Sequence, residues 1–265
     1  MPEIASAKLS IDPGLLPDPE ARVLDVGCGD GRHLAAAAKR GCAAIGLDYE
    51  RAELSGARAR TRSLGVDLIV GDATRLPFRD GCMDAVICTE TLEHLPDDAG
   101  AMREIARVLR HGGLLHGAVP SHFTELVFWR LSRRYYHTPG GHVRIYSPYR
   151  LFEKLKRAGL RVTYRRYVHF FDSLFWLRFC LLDLARPARP RSDFEAAVII
   201  AEALERPVPT WRTRLRAAFA SSRFIALLDT AGALIWPKSL MFVARKTRAA
   251  RADHETATMV VDSIH

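Results

Sequence analysis

Residues 23–31 read Val-Leu-Asp-Val-Gly-Cys-Gly-Asp-Gly, a short apolar run that ends in glycines at alternate positions. Glycine reaches backbone conformations closed to other residues, so Gly27, Gly29 and Gly31 can bring main-chain atoms close to a bound molecule. A tight turn between a buried strand and a helix that starts near Arg32 is where open α/β sheets bind ligands. The spacing narrows the choice of ligand. A dinucleotide fingerprint, G-x-G-x-x-G, needs its third glycine where this chain has Arg32, and the phosphate loop G-x-x-x-x-G-K-[ST] is missing as well. Three carboxylates, Asp25, Asp48 and Asp72, recur 23 and 24 residues apart. Each can accept hydrogen bonds from a polar ligand or, in the plainer reading, cap a helix.

The elements that would carry these groups follow at a regular pitch. Ile45-Gly46-Leu47-Asp48 ends a second apolar strand, and Leu68–Ala73 ends a third. Asp84–Cys88 reads as a fourth strand and Leu114–Val119 as a fifth, with helical stretches at Gly31–Arg40, Ala52–Leu64 and Ala99–Leu109 between them. Alternating strands and helices predict βαβ units and a parallel sheet, with each aspartate at or near a strand's end.

Taken together, Asp25-x-Gly27-x-Gly29-x-Gly31 and the motifs after it resemble the class I S-adenosylmethionine-dependent methyltransferases across residues 20–120. The segments Glu90-Thr91-Leu92-Glu93-His94-Leu95-Pro96 and Arg107–Gly113 are similar to the small-molecule branch that includes quinone-biosynthesis enzymes. The resemblance implies a Rossmann-like sheet of seven mostly parallel strands, the last antiparallel, with helices on both faces. It also implies a cofactor, S-adenosyl-L-methionine, and roles for named residues. Asp25, Gly27, Cys28, Gly29 and Gly31 would receive its methionine part, with Cys28 acting as a small side chain. Asp48 would bind both ribose hydroxyls, Tyr49 would stack on the adenine, and Asp72 with the Ala73 amide would read its edge. Thr89 and Glu90 would flank the sulfonium.

Charge divides the chain unevenly. Residues 121–170 hold eleven Lys or Arg against Glu125 and Glu153, which is the whole +9 excess of the protein. Aromatics interleave there: Phe123, Phe128, Trp129, Tyr135, Tyr136, Tyr146 and Tyr149. Such a segment suits nucleic acid, an anionic bilayer or an anionic substrate. The motifs of base methylation, Asn/Asp-Pro-Pro-Tyr/Phe or a Pro-Cys nucleophile, do not follow the fourth strand, where Cys88-Thr89-Glu90-Thr91 stands. We therefore expect no nucleic-acid partner. Five cysteines without metal-type spacing and a start lacking an apolar signal segment predict a cytoplasmic protein.

Ser147–Leu160 reads as an amphipathic helix, Arg161–His169 as a sixth strand and Ser239–Arg245 as the last. The residues between these strands, far more than a usual connection, form a predicted helical insertion at 170–237. That gives a lead-in at 1–20, a methyltransferase unit at 21–169 and 238–246, and a disordered polar tail at 247–265. Phe170–Ala185, Ala196–Leu204 and Phe224–Trp236 are its apolar helical candidates. Their charges exclude a spanning helix. The insertion either buries itself on the core or forms a lid over an apolar acceptor that dips into the membrane surface.

Methyl transfer asks mainly for positioning. An acceptor hydroxyl would also need a base, and His94, His122 and His142 are the candidates, beside structural readings for each. Glu90, Glu93 and His94 have the donor types of a divalent-metal site, as in some quinone O-methyltransferases, but groups so close in sequence need not converge; no metal is expected. The resulting expectation is O- or C-methylation of a lipophilic or aromatic small molecule, with peripheral contact at an anionic membrane. Two alternatives stay open: a soluble natural-product methyltransferase with a polar acceptor, and a catalytically silent cofactor-binding protein.

Overall fold

A computed structural model describes residues 9–132, 141–185 and 223–247. Seven strands form one sheet: β1 (Arg22–Val26), β2 (Ala43–Asp48), β3 (Asp67–Val70), β4 (Met83–Thr89), β5 (Leu109–Pro120), β6 (Leu160–Val168) and β7 (Ser239–Lys246). Their order is β3-β2-β1-β4-β5-β7-β6. The pairs among β1 to β5 are parallel, and β7 runs antiparallel to both β5 and β6. The expected architecture is therefore present, antiparallel last strand included. The strand order reverses between β1 and β4, which opens a crevice at the carboxyl ends of the strands.

Strands buried on both faces need apolar residues at every position. β1 and β4 meet that demand except at Arg22, Asp25, Asp84 and Thr89, and successive residues feed opposite faces. Leu24, Val86 and Leu115 pack with Ile105 of α3 (Asp98–Val108) and Leu151 and Leu155 of α5 (Pro148–Arg157). Val23, Ala85 and Ile87 pack on the other face with Leu34 and Ala37 of α1 (Arg32–Lys39). Ile11 and Leu16 of the lead-in join that second cluster. α2 (Glu53–Thr61) lies beside α1 and β3.

Several boundaries differ from the sequence reading. β3 stops at Val70, so Asp72 and Ala73 lie in the loop beyond it. β5 begins at Leu109, five residues early, because the Gly112–Gly113 turn is absorbed into the strand's span. β6 ends at Val168, and His169 takes a left-handed conformation (φ 68°) that caps the next helix. An unforeseen helix, α4 (His122–Leu131), follows β5 within the basic aromatic segment. Between β6 and β7 lie α6 (Phe170–Leu184) and α7 (Arg223–Gly232). α4 packs on α6, and α7 packs on α6 and β6. The expected helix at 196–204 and the tail beyond 247 fall outside the described residues.

The start of α5 is written locally: Ser147 accepts a bond from the Arg150 amide at 3.3 Å, and Pro148 occupies its first position. Gly159, at φ 83°, turns the chain into β6. Asp98, buried at the first turn of α3, joins these elements. It receives Lys154 Nζ of α5 at 2.6 Å, Arg144 Nη1 at 3.2 Å and the Tyr146 hydroxyl. Burial alone would raise its pKa, but Lys154, Tyr146 and Arg144 together hold it below the usual carboxylate range. Asp98 thereby stabilises the fold above pH 4, a contribution lost as pH falls through the depressed folded value. Asp98→Asn should cost about 3 kcal/mol at neutral pH by urea denaturation, with the gap shrinking below pH 4; an equal loss at pH 3 and pH 7 would contradict this account.

Candidate active site

The turn after β1 is fixed by backbone contacts to β2. Gly27 and Cys28 amides donate to Leu47 O at 2.8 and 3.1 Å, and the Gly31 amide donates to Cys28 O at 2.8 Å. Gly27, Gly29 and Gly31 have φ of 69°, 49° and 75°. A side chain at residue 27 would meet Thr91 Oγ1 at 2.4 Å, so this glycine lets the loop after β4 lie directly against the turn. Asp48, at the end of β2, braces the same turn: Oδ2 accepts from the Gly29 amide at 2.9 Å and Oδ1 from the Glu50 amide at 3.0 Å. Each oxygen keeps a second lone pair for a ligand hydroxyl.

Asp25 sits at the centre of this arrangement, fully buried, and neither of its oxygens has a hydrogen-bond partner. Burial pushes its pKa up to about 7, against the opposing pull of the Arg32 guanidinium. Burial also raises the Cys28 thiol far above its ordinary value, which makes it an inert small side chain. Tyr49 is 78% exposed, its ring presented to solvent beside Asp48. Asp72 is exposed, its Oδ1 bound by the Thr74 amide and hydroxyl, both at 2.8 Å, which lowers its pKa. Ala73 beside it is buried. All these residues occupy the carboxyl edge of β1, β2 and β3.

Thr89 ends β4, and its hydroxyl meets His33 Nδ1 at 3.0 Å. The Ser10 amide donates to His33 Nε2 at 3.0 Å, so that nitrogen carries the lone pair and Nδ1–H donates to Thr89. Burial lowers the His33 pKa to about 3, helped by Arg32 and His169, and the ring is neutral. Ser10 and His33 tie the lead-in to the site, a link between residues 23 positions apart that no local pattern signals. Glu90 follows in the left-handed region (φ 51°), with a buried Oε1 that lacks a hydrogen-bond partner. Strain of this kind in a non-glycine residue is characteristic of ligand sites.

A second group lies against the loop after β4. His94 Nδ1 donates to Gly141 O at 3.2 Å and the Val143 amide to Glu93 O at 2.9 Å. These bonds place His142 beside His94, ring centroids 4.9 Å apart. His142 Nδ1 is 2.5 Å from Oε1 of Glu125, a buried carboxylate on α4 that also accepts from Trp129 Nε1 at 2.9 Å. Lys238 Nζ lies 4.0 Å from its other oxygen. Glu93 is fully buried without a hydrogen-bond partner, and burial and the nearby Glu90 raise its pKa well above the ordinary carboxylate range. Glu93, His94 and His142 each present one ligand atom within 4.8 Å of the others. Two imidazoles and a carboxylate suit either proton transfer or a divalent cation. The trio weighed from sequence thus forms with His142 in place of Glu90. His122, the first residue of α4, stands outside that cluster. Glu125 was missed, although an acid inside the apolar run His122–Leu131 is a signal of buried pairing.

Comparison with known proteins agrees with this geometry. The family described as "Methyltransferase domain" matches residues 24–116. Methyltransferase GfsG of Streptomyces halstedii is 43% identical over 99 residues, 36% of this chain and 36% of its own length. Ubiquinone biosynthesis O-methyltransferase of Alkalilimnicola ehrlichii is 38% identical over 95 residues, 35% of this chain and 38% of its own length. The matched stretches therefore span under two fifths of these relatives. A chain solved in complex with the Haloferax volcanii Trm112 methyltransferase activator shares the fold, with a TM-score of 0.55 and 24% identity over 89% of this chain and 87% of that one. Glu125 and His142 lie beyond the family match.

The unpartnered Asp25 yields a test in which stability and binding move oppositely. Its raised folded pKa means that ionisation costs stability from about pH 4 upward, levelling off above pH 7. Asp25→Asn removes that cost and should melt higher than the parent at pH 8, with the gain vanishing near pH 4. The same change should weaken S-adenosylmethionine binding roughly tenfold or more, the value of a charged hydrogen bond. A variant that melts lower at pH 8 would refute this role.

Proposed function

We propose, from the premise that residues 24–116 are a class I S-adenosylmethionine-dependent methyltransferase domain, that the chain methylates a lipophilic or aromatic small molecule on oxygen or activated carbon. The buried carboxylate of Asp25 beneath the glycine turn is the observation that carries this reading. A cationic ammonium is the ligand group that would relieve such a carboxylate, and the cofactor's methionine part has one. When bound, the cofactor supplies an electrophilic methyl on a cationic sulfur, open to in-line displacement.

The residues here then have separable tasks. Gly27, Gly29 and Gly31 admit the methionine backbone, and Cys28 fills the space beside them. Asp48 receives the ribose hydroxyls on its remaining lone pairs, while Tyr49 covers the adenine. Asp72 and the Ala73 amide read the base edge. Thr89, held by His33, and Glu90 border the sulfur. His142, oriented by Glu125, accepts the acceptor's proton, with His94 beside it; His122, at the start of α4, stands apart from them. Orientation of this kind supplies most of the rate in a displacement reaction.

The convergence of Glu93, His94 and His142 favours a second arrangement of the same activity. A divalent cation there would lower the pKa of an acceptor hydroxyl, and Glu125 would orient His142 toward it.

Isothermal titration of the full chain with S-adenosylmethionine tests the proposal. Saturable heat with one site per chain is expected, and Asp48→Ala should abolish it at the concentrations that saturate the parent. An absence of heat together with an unchanged melting temperature would sink the assignment.

A further inference from the structure

Helix α6 is built inside out. Its fully buried positions are Ser173 and Cys180, and Asp183 turns inward to accept a bond from Ser132 Oγ of the chain after α4 at 2.8 Å. Its outward arc holds Phe171, Leu174, Phe175, Leu181 and Leu182, all 39–50% exposed, around a central exposed Arg178. A helix that borders water on its outer side shows the opposite pattern. Exposed apolar side chains recur on α7, which packs on α6, at Leu227 and Leu228, and on the turn after it at Leu234 and Ile235, both about 80% exposed. Large apolar side chains exposed in such number on neighbouring helices mark a contact site.

We propose that this face of α6 and α7 docks on an anionic lipid bilayer, lying in the plane of the headgroups. The inference deepens the reading of a lipophilic acceptor and rests on it for its purpose, though not for its evidence. Charge selects the occupant. Arg178 is the one ion on the outward arc of α6, on a stem long enough to reach phosphates while the neighbouring rings enter the acyl boundary. The edge strand β6, against which α7 packs, adds exposed Arg166, whose guanidinium donates to Thr230 Oγ1 of α7 at 3.0 Å, with half-exposed Tyr164 on the same side of the strand. Aromatic and basic residues together are the signature of a membrane interface. Of the nearby acids, Asp183 binds Ser132, Asp229 accepts from the Phe171 amide at 3.0 Å, and Asp172, at the first turn of α6, lies 3.9 Å from His169 Nδ1.

The alternatives fit less well. A two-fold contact with a second copy centred on this arc would set Arg178 against its own equivalent, a like-charge pair in an apolar interface. Spanning is excluded for the described helices, since none is long and apolar enough to cross a membrane. An in-plane helix needs only the one apolar face that α6 has.

Flotation of the full chain with vesicles of phosphatidylcholine alone, and of phosphatidylcholine with phosphatidylglycerol, tests the proposal. The parent should bind the anionic vesicles, bind them less in high salt, and leave the neutral ones. Phe175→Asp and Arg178→Glu should each lower the partition coefficient roughly tenfold. Both should keep the parent's melting temperature and S-adenosylmethionine heat, because their side chains face outward. Equal partition into both vesicle types, no partition at all, or variants that bind like the parent would overturn it. So would a parent dimer in sedimentation that the same variants dissociate. A parent that floats but gives no heat with S-adenosylmethionine would defeat the activity reading and leave the docking face in place.

Discussion

A carboxylate buried in the middle of a sheet, its burial offset in part by the Arg32 guanidinium and the Leu34 amide, is the constraint around which this protein is arranged. Asp25 lies on β1, paired in register with Gly46 of β2 and Ile87 of β4, deep between two layers of helices. The chain could bond it only with groups that close the crevice above it. Instead, three left-handed glycines turn the main chain away from it, Asp48 holds that turn open by its amides, and Glu90 bends the neighbouring loop. Each device costs conformational energy without stabilising the empty fold. Their joint presence makes sense for a site whose energy balance closes when a cationic ligand arrives.

The half of the molecule that holds this carboxylate was legible in the sequence. Buried parallel strands must be apolar throughout, and the glycines must stand where φ is positive, so both patterns appear as runs and spacings in the primary text. The pitch of the strands sets Asp25 and Asp48 at strand ends and Asp72 near one, and in the fold Asp72 lies in the loop two residues beyond β3. What that pitch misjudged were margins. β5 starts at Leu109 because that residue pairs with Met83 of β4, ahead of an irregularity at Gly112 and Gly113 after which pairing resumes at Leu114. His169 caps α6 in a left-handed conformation that its type does not advertise.

The acceptor side was harder to read for a physical reason. Its groups come from the loop after β4, from α4, from the segment around His142 and from the entry to β7, so no local spacing links them. What joins them is a set of long-range polar contacts: the Gly141 carbonyl to His94, Glu93 to the Val143 amide, Glu125 to His142, and Asp98 to Arg144 and Tyr146. Sequence could nominate His94 and His142 as candidates. Only the fold shows that their rings meet beside Glu93, and that His122 does not join them. Glu125, the residue that holds His142, is the one that local reasoning left as a mere charge in a basic segment.

The two halves also differ in how their polar groups are paid for. At the cofactor edge the uncompensated charge is internal and waits for a ligand. In α6 the mismatch is external: polar residues face the protein and large apolar ones face outward. Both depart from the rule that buried polar atoms are bonded and exposed surfaces are mixed. Departures of this kind are where a protein can meet something other than water. On the proposed reading the first would receive the cofactor's ammonium and the second would lie on a bilayer. α4 stands between the two places, bonding His142 through Glu125 on one side and packing on α6 on the other.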